Sequence, residues 1–331
     1  MIWDGENFYL LTRIGFGDVI VWESPDGVEW TEHSQIGTAG TVDGPFELTS
    51  TSGRLIAAGR RGTTATVWVD EGEQGWAEVE VGPGTIDHLV FFMGNYLALG
   101  RASAFPEPGQ SRSDNNPLIW RSWDGYTWTE TVGAEFFESV AWTAGLVVGP
   151  AGLLTVAVAD TDHNPVSAVV TSTNGIDWVF HQPTDLDTLM QVDSITGTET
   201  GYAAYGLLAD STEAPSPYSP ILWSPDGINW EALGSPDGSD SEWIWPGWLG
   251  TFGDYIVLSG QINIGDESHP RVWAYRGDGL WTVLGTGDWY NEPGAASAMV
   301  SGNGRLIVRA QIGGPATDPW SIFTFVPDTS D

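Results

Sequence analysis

Short runs of consecutive apolar residues recur along the chain, separated by clusters of Gly, Pro, Ser, Asn and Asp. Phe8–Thr12, Arg54–Gly59, Tyr96–Gly100, Leu153–Val158, Tyr202–Leu207, Tyr255–Gly260 and Leu306–Arg309 are such runs. Apolar residues at successive positions, rather than alternate ones, predict strands covered on both faces. Each run precedes a second one that ends in a polar turn and a tryptophan. The segments Val21–Trp30, Val67–Trp76, Ile119–Trp128, Val169–Trp178, Leu222–Trp230 and Val272–Trp281 align on this pattern, and Trp320–Asp328 is a degenerate seventh copy. The closing tryptophans fall at 30, 76, 128, 178, 230 and 281, one every 46 to 52 residues. A period near 50 with several strands per unit predicts a β-propeller.

The expected fold is therefore all-β: one seven-bladed propeller of four-stranded antiparallel blades, spanning about 1–35, 36–82, 83–133, 134–183, 184–234, 235–285 and 286–331. In the second unit Phe46–Ser50 reads as strand A, Arg54–Gly59 as B and Thr66–Val69 as C, with D starting near Trp76. The ends are uneven. Blade 1 opens on a short A strand, Met1–Trp3. Blade 7 has A (Ser297–Ser301), B and C strands but no clear D strand. Either blade 7 is three-stranded or the natural chain continues past a terminus.

The repeated tryptophans read as structural. An indole buries roughly 150–250 Å², worth ~4–6 kcal/mol as an upper bound, enough to seal a seam between blades. The turns Ser24–Gly27, Ser122–Gly125 and Ser224–Gly227, with Ser172–Gly175 as an Asn variant, join strands C and D. Asp or Asn accepts a backbone N–H two residues ahead, and Gly takes the positive φ. Ser-x-Asp-Gly-x-x-Trp resembles the Asp-box, or BNR, repeat of sialidase-like propellers, over nearly the whole chain. The spacing departs from that family's usual pattern by one residue fewer between Asp and Gly. The resemblance implies that these turns are structural and lie on the face opposite the ligand site.

Charge narrows the partners. The net charge is -33, and all 11 basic residues are Arg. Such a field repels nucleic acid and anionic lipid. No segment is long and apolar enough for a membrane-spanning helix; Gly145–Ala159 is broken by Gly149, Pro150 and Gly152. Without Cys there are no disulfides. An exported or surface-displayed protein whose leader has been removed is the expected setting, with the cytoplasm as alternative.

In a propeller the B–C and D–A loops share the face where ligands usually bind. The longest B–C loops are Ala102–Pro117 and Ala209–Pro220. The D–A connections carry aromatics outside the repeated set: Phe136, Phe137, Trp142, Trp243, Trp245, Trp248, Trp289 and Tyr290. Nearby acids are Glu135, Glu138, Asp185, Asp187, Asp240, Glu242, Asp288 and Glu292. Aromatic faces beside carboxylates suit sugar rings; the alternative is that these aromatics fill the loop-side core. Arg13, Arg60 and Arg101 end three consecutive B strands at one repeat position, with Gln261 and Gln311 at the matching places. Arg grips carboxylates bidentately, so this arc is a candidate anion site or a set of internal ion pairs. Sialidases resemble it in using three Arg, but this chain has Arg13-Ile14-Gly15 in place of the Arg-Ile-Pro motif. Asp160, Asp162 and Asn164 have calcium-loop spacing but lack the following Gly and the closing Glu. No cofactor is otherwise expected, and no catalytic residue is assigned. The leading expectation is a non-catalytic recognition scaffold for a glycan or protein partner. The alternatives are a sialidase-like glycoside hydrolase, or a structural module whose incomplete blade 7 favours self-assembly.

Overall fold

The computed structural model describes residues 1–331 apart from 14–17, 38–43, 52, 103–115, 133–136, 138–139, 162–163, 183–188, 209–220, 235, 237–242, 265–266, 278, 286–287, 313–319 and 327–331. The side chains of 141–142, 159–161, 164–166, 189–191, 207–208, 243, 288–289 and 320 also lie outside the described set.

Seven antiparallel sheets follow one another along the chain. Blade 1 is β1 (Ile2–Trp3), β2 (Phe8–Arg13), β3 (Val19–Ser24) and β4 (Thr31–Ile36). Blade 2 is β5 (Gly44–Thr51), β6 (Arg54–Arg61), β7 (Thr64–Asp70) and β8 (Trp76–Pro83). Blade 3 is β9 (Thr85–Phe92), β10 (Asn95–Arg101), β11 (Pro117–Ser122) and β12 (Thr129–Val132). Blade 4 is β13 (Val140–Thr143) with the short β14 (Val147–Gly149), then β15 (Gly152–Thr161), β16 (Asn164–Ser172) and β17 (Val179–His181). Blade 5 is β18 (Leu189–Gly197), β19 (Tyr202–Leu208), β20 (Ile221–Ser224) and β21 (Glu231–Ala232). Blade 6 is β22 (Trp243–Phe252), β23 (Tyr255–Ile264), β24 (Glu267–Tyr275) and β25 (Trp281–Val283). Blade 7 has three strands among the described residues, β26 (Gly294–Gly302), β27 (Arg305–Ile312) and β28 (Trp320–Phe325).

The B strands β6, β10, β15, β19, β23 and β27 are the most buried parts of the chain, because each blade packs between two others. Leu97, Ala98 and Leu99, consecutive on β10, are all fully buried. Tyr96 and Ala98 face blade 2, whereas Leu97 and Leu99 face blade 4. Seam-filling follows a rule. The tryptophan that opens each D strand leans on the seam with the preceding blade: Trp76, Trp128, Trp178, Trp230 and Trp281 each join a different apolar cluster. Trp230 is buried and the others are half-buried. The D strands of blades 1, 2, 3, 5 and 6 also send an aliphatic residue into the seam with the following blade. These are Ile36, Val79, Val132, Leu233 and Leu284.

The C–D turns hold the seams from below. Ser24 Oγ accepts the Gly27 N–H at 2.8 Å and donates to Asp26, whose Oδ1 accepts the N–H groups of Val28 and Glu29 at 2.9 and 3.2 Å. Ser122–Asp124 repeats this, and Asn174 and Asp226 accept the same pair of N–H groups. These bonds pull Asp26, Asp124 and Asp226 below the ordinary carboxylate range. Ring closure uses the first of these turns. Thr324 Oγ1 on β28 donates to Gly27 O at 2.7 Å, and Arg305 Nη1 donates to Asp26 O at 2.5 Å. Gly27 has φ +72, and an added Cβ would lie 2.1 Å from Ile307 Cδ1. The positive φ and the nearness of the Ile307 side chain both favour glycine here.

Candidate functional site

The A strands line the central channel, and six of the seven are broken by a β-bulge at one repeat position. The register shifts fall between Pro45 and Glu47, at Ile86–His88, and between Val140 and Trp142, Val192 and Ser194, Pro246 and Trp248, and Ala296 and Ala298. A bulge sets two residues against one on the partner strand and re-aims their side chains. The extra residues are Phe46, Asp87, Ala141, Asp193, Gly247 and Ser297. The cause is visible opposite them. Gly59 faces the first bulge, where a Cβ would lie 2.2 Å from Gly44 O; at Gly100 a Cβ would lie 1.9 Å from Thr85 O. The bulge pushes A-strand carbonyls onto the B strand, leaving no room for a side chain.

The bulges and their neighbours build the channel, a cavity of about 460 Å³. Its polar wall holds Glu47, His88, Ser194 and Asp193; Phe91, Leu146, Ile195 and Trp248 supply the apolar part. His88 Nδ1 stands 3.7 Å from Glu47 Oε1. Glu47 keeps 30% of its side-chain surface open to the channel, yet the walls displace most bulk water. Burial therefore pushes its carboxyl up to about 7, with the Met1 amine opposing and the Asp87 charge adding to the rise. Burial likewise pushes the His88 imidazole down, against the Asp87 charge and with that of Arg101. Near neutral pH Glu47 thus offers both a donor and acceptors, and His88 is neutral. That combination hydrogen-bonds hydroxyl groups.

At the loop-face end of the channel the A strands present aromatics to solvent. Phe46 is 51%, Trp245 44% and Trp248 43% exposed. Trp142 lies on β13 one residue past a bulge, and Trp243 opens β22; their side chains are outside the described residues, as is that of Trp289. Tyr290 is turned inward: it is 6% exposed, its hydroxyl donates to Leu284 O, and the Arg271 guanidinium lies 5.0 Å from its ring. Phe137 is fully buried in the seam between blades 3 and 4.

Arg13 and Arg101 end β2 and β10, whereas Arg60 is the penultimate residue of β6, and their described contacts diverge. Arg101 grips the bulge residue Asp87 bidentately, at 2.7 and 3.1 Å. Arg13 sits 5.8 Å from the centre of the Phe46 ring, a cation–π contact. Asp160 is the penultimate residue of β15, opposite Pro165, and Asn164 opens β16; Asp162 and the side chains of the other two lie outside the described residues. Among the described residues no cluster of three His, Asp or Glu could hold a metal ion. Both long B–C loops lie almost wholly outside the described residues, as do Glu135, Glu138, Asp185, Asp187, Asp240 and Glu242. Among the described residues no helix is long and apolar enough to cross a membrane.

Sequence reasoning passed over Phe46, Glu47, His88 and Asp193. They sit in apolar strands with no motif around them. The available signal was Gly59, Gly100, Gly206 and Gly260 inside otherwise apolar B strands, since an isolated strand glycine marks a bulge.

The class this geometry defines is the seven-bladed β-propeller. Among solved structures, a puromycin hydrolase mutant complexed with PGG aligns over 98% of this chain at 10% identity with a TM-score of 0.64. A prolyl endopeptidase aligns over 98% at 13% identity and TM-score 0.60. This chain spans about half the length of each, 51% and 48%. The propeller domain of the Trilobed protease from Pyrococcus furiosus aligns over 99% of this chain and 94% of its own, at 9% identity and TM-score 0.56. At these identities the likeness is one of fold. The sequence matches no family model and no curated protein.

Proposed function

We propose that this propeller is a non-catalytic recognition module that binds a glycan or protein partner across the channel mouth on the B–C/D–A loop face. The observation that carries the proposal is the set of A-strand bulges, which holds the exposed Trp248 with Glu47 and Asp193 on one channel wall. Exposed aromatic faces stack on the C–H faces of sugars or on partner side chains. Carboxyl groups nearby bond hydroxyls or basic groups, and a net charge of -33 favours basic protein partners. Preformed geometry lowers the ordering cost of binding. The C–D turns, which resemble Asp-boxes, serve the opposite face as structural clips.

A glycan array and a pull-down under physiological salt test this, with Trp245→Ala, Trp248→Ala and Glu47→Gln in parallel. Expected is saturable binding that falls at least tenfold in the Trp248→Ala variant. Turnover of sialosides or other glycosides, abolished by Arg13→Ala, Arg60→Ala or Arg101→Ala, would replace the module by a hydrolase. A second reading draws on the alignment of nearly the whole chain with half of two larger hydrolases: the loop face covers a companion domain. It predicts capture of a folded domain, sensitive to the same tryptophans, and no glycan binding.

A further inference from the structure

The turn glycines Gly27, Gly125, Gly175 and Gly227 press on long aliphatic side chains of the neighbouring blade. A Cβ added to them would lie 2.1 to 2.9 Å from Ile307, Ile56, Leu97 and Leu154 respectively. Blade 2 lacks the Ser-x-Asp-Gly turn, but the matching residue of blade 1 is Tyr9, which is 7% exposed and fills the place. Between blades 5 and 6 both halves of the contact are gone. Blade 5 has Ala203 at the matching position, and blade 6 turns through Tyr275-Arg276-Gly277, where a Cβ on Gly277 or Gly279 would meet nothing within 4 Å. A cavity of about 510 Å³ opens there, a size that suits a small ligand. Trp223, Tyr255 and Tyr275 line it, together with Glu199, Glu231 and Asp254. Trp223 is an indole outside the repeated set: the matching C-strand positions carry Glu23, Arg121 and Thr171. Gly201 gives it room, since a Cβ there would lie 2.5 Å from Trp223 Cζ2. The Trp223 Nε1 and the three carboxylates make no hydrogen bond or ion pair among the described residues.

We propose that this cavity binds a methylated ammonium group, of the kind that choline and trimethyl-lysine carry. Aromatic rings attract a cation to their negative faces, most strongly where water is excluded. Arg276 already uses one of these rings: its guanidinium carbon lies 5.5 Å from the centre of the Tyr255 ring, and nothing else among the described residues holds it. The ligand takes its place. Glu199, Glu231 and Asp254, all exposed, add attraction at the rim, and a net charge of -33 raises the local concentration of cations. A metal ion needs converging ligands, and among the described residues no three acidic or histidine side chains cluster to supply them. A neutral sugar stacks on such rings but gains nothing from the carboxylate field. The cavity lies among A–B and C–D turns, at the end of the sheets opposite the channel mouth, and shares no lining residue with the channel. It stands or falls apart from the loop-face proposal.

Choline is titrated into the 331-residue chain by isothermal calorimetry, beside its uncharged isostere, in which carbon replaces the nitrogen, and a short peptide carrying trimethyl-lysine. Expected are one choline site per chain, affinity at least tenfold weaker for the isostere, and choline binding that weakens as salt is added. Trp223→Ala weakens choline at least tenfold if its circular dichroism stays native. Asp254→Asn, on an exposed turn, weakens it about threefold and decides if the tryptophan variant does not fold. Arg276→Ala tightens choline about threefold, because it removes the resident cation from the Tyr255 ring. A peptide that binds at least tenfold tighter than choline assigns the ammonium group to a protein partner, and the reverse assigns it to a small molecule; both support the site. The proposal is overturned if neither choline nor the peptide binds, if the isostere binds as tightly as choline, or if binding is indifferent to both Trp223→Ala and Asp254→Asn. Loss of binding in Arg276→Ala overturns it in favour of an anionic ligand, and a glycan-array signal that Trp223→Ala removes overturns it in favour of a sugar.

Discussion

The titrating residue with the largest consequence is Glu47. Its carboxyl has an ordinary value near 4.5 and stands at about 7 in the channel. Between those values the folded chain holds a proton that the unfolded chain has released. Stability that is full below about pH 4.5 is therefore lost as pH rises toward 7, and stays lost above it. Glu47→Gln keeps the shape and removes the titration. Thermal unfolding from pH 4 to 8 should show the gap in Tm between variant and parent moving in the variant's favour up to pH 7, then levelling. A gap that does not vary with pH would place Glu47 in ordinary solvent. The turn aspartates work in the opposite sense: their depressed values add stability at neutral pH that is lost on acidification. Being exposed, they act through a solvent-screened group.

Strand by strand, the sequence showed the repeat and hid the bulges. A tryptophan every 46 to 52 residues is visible because an indole at a seam has no smaller substitute that fills the same volume. Four of the six bulges leave only a glycine opposite, the other two an alanine, and both residues have many other uses. Hence Arg101, at a matched position that reads as an anion site or an internal ion pair, is engaged by Asp87, a bulge residue that no motif flags. Tyr290, read as a loop aromatic, is buried because the 3-10 turn Asp288–Asn291 folds it under Arg271. The seams also differ in what a tryptophan contributes. Trp230 is 5% exposed in a filled seam, so Trp230→Ala should cost ~3–5 kcal/mol. Trp30 borders the cavity between blades 7 and 1 and loses fewer contacts, so Trp30→Ala should cost about half as much. Urea unfolding midpoints at a common slope compare the two; equal costs would mean that the cavity closes in solution.

For the whole molecule, 44 acidic against 11 basic residues make self-repulsion the dominant long-range term. Salt shortens the Debye length from about 30 Å at 0.01 M to about 10 Å at 0.1 M. The Tm should rise over that range and continue to rise more slowly above it; scanning calorimetry in sodium chloride checks this, and a falling Tm would mean that ion pairs such as Arg101–Asp87 outweigh repulsion. The amino-acid order alone determined that there are seven units and where their turns lie, since those are properties of local period and turn chemistry. Only the tertiary structure decided which side chains meet around the axis and which line the cavity between blades 7 and 1. Both arise where residues forty or more positions apart are brought together, and a one-residue bulge changes those meetings while leaving the repeat itself untouched.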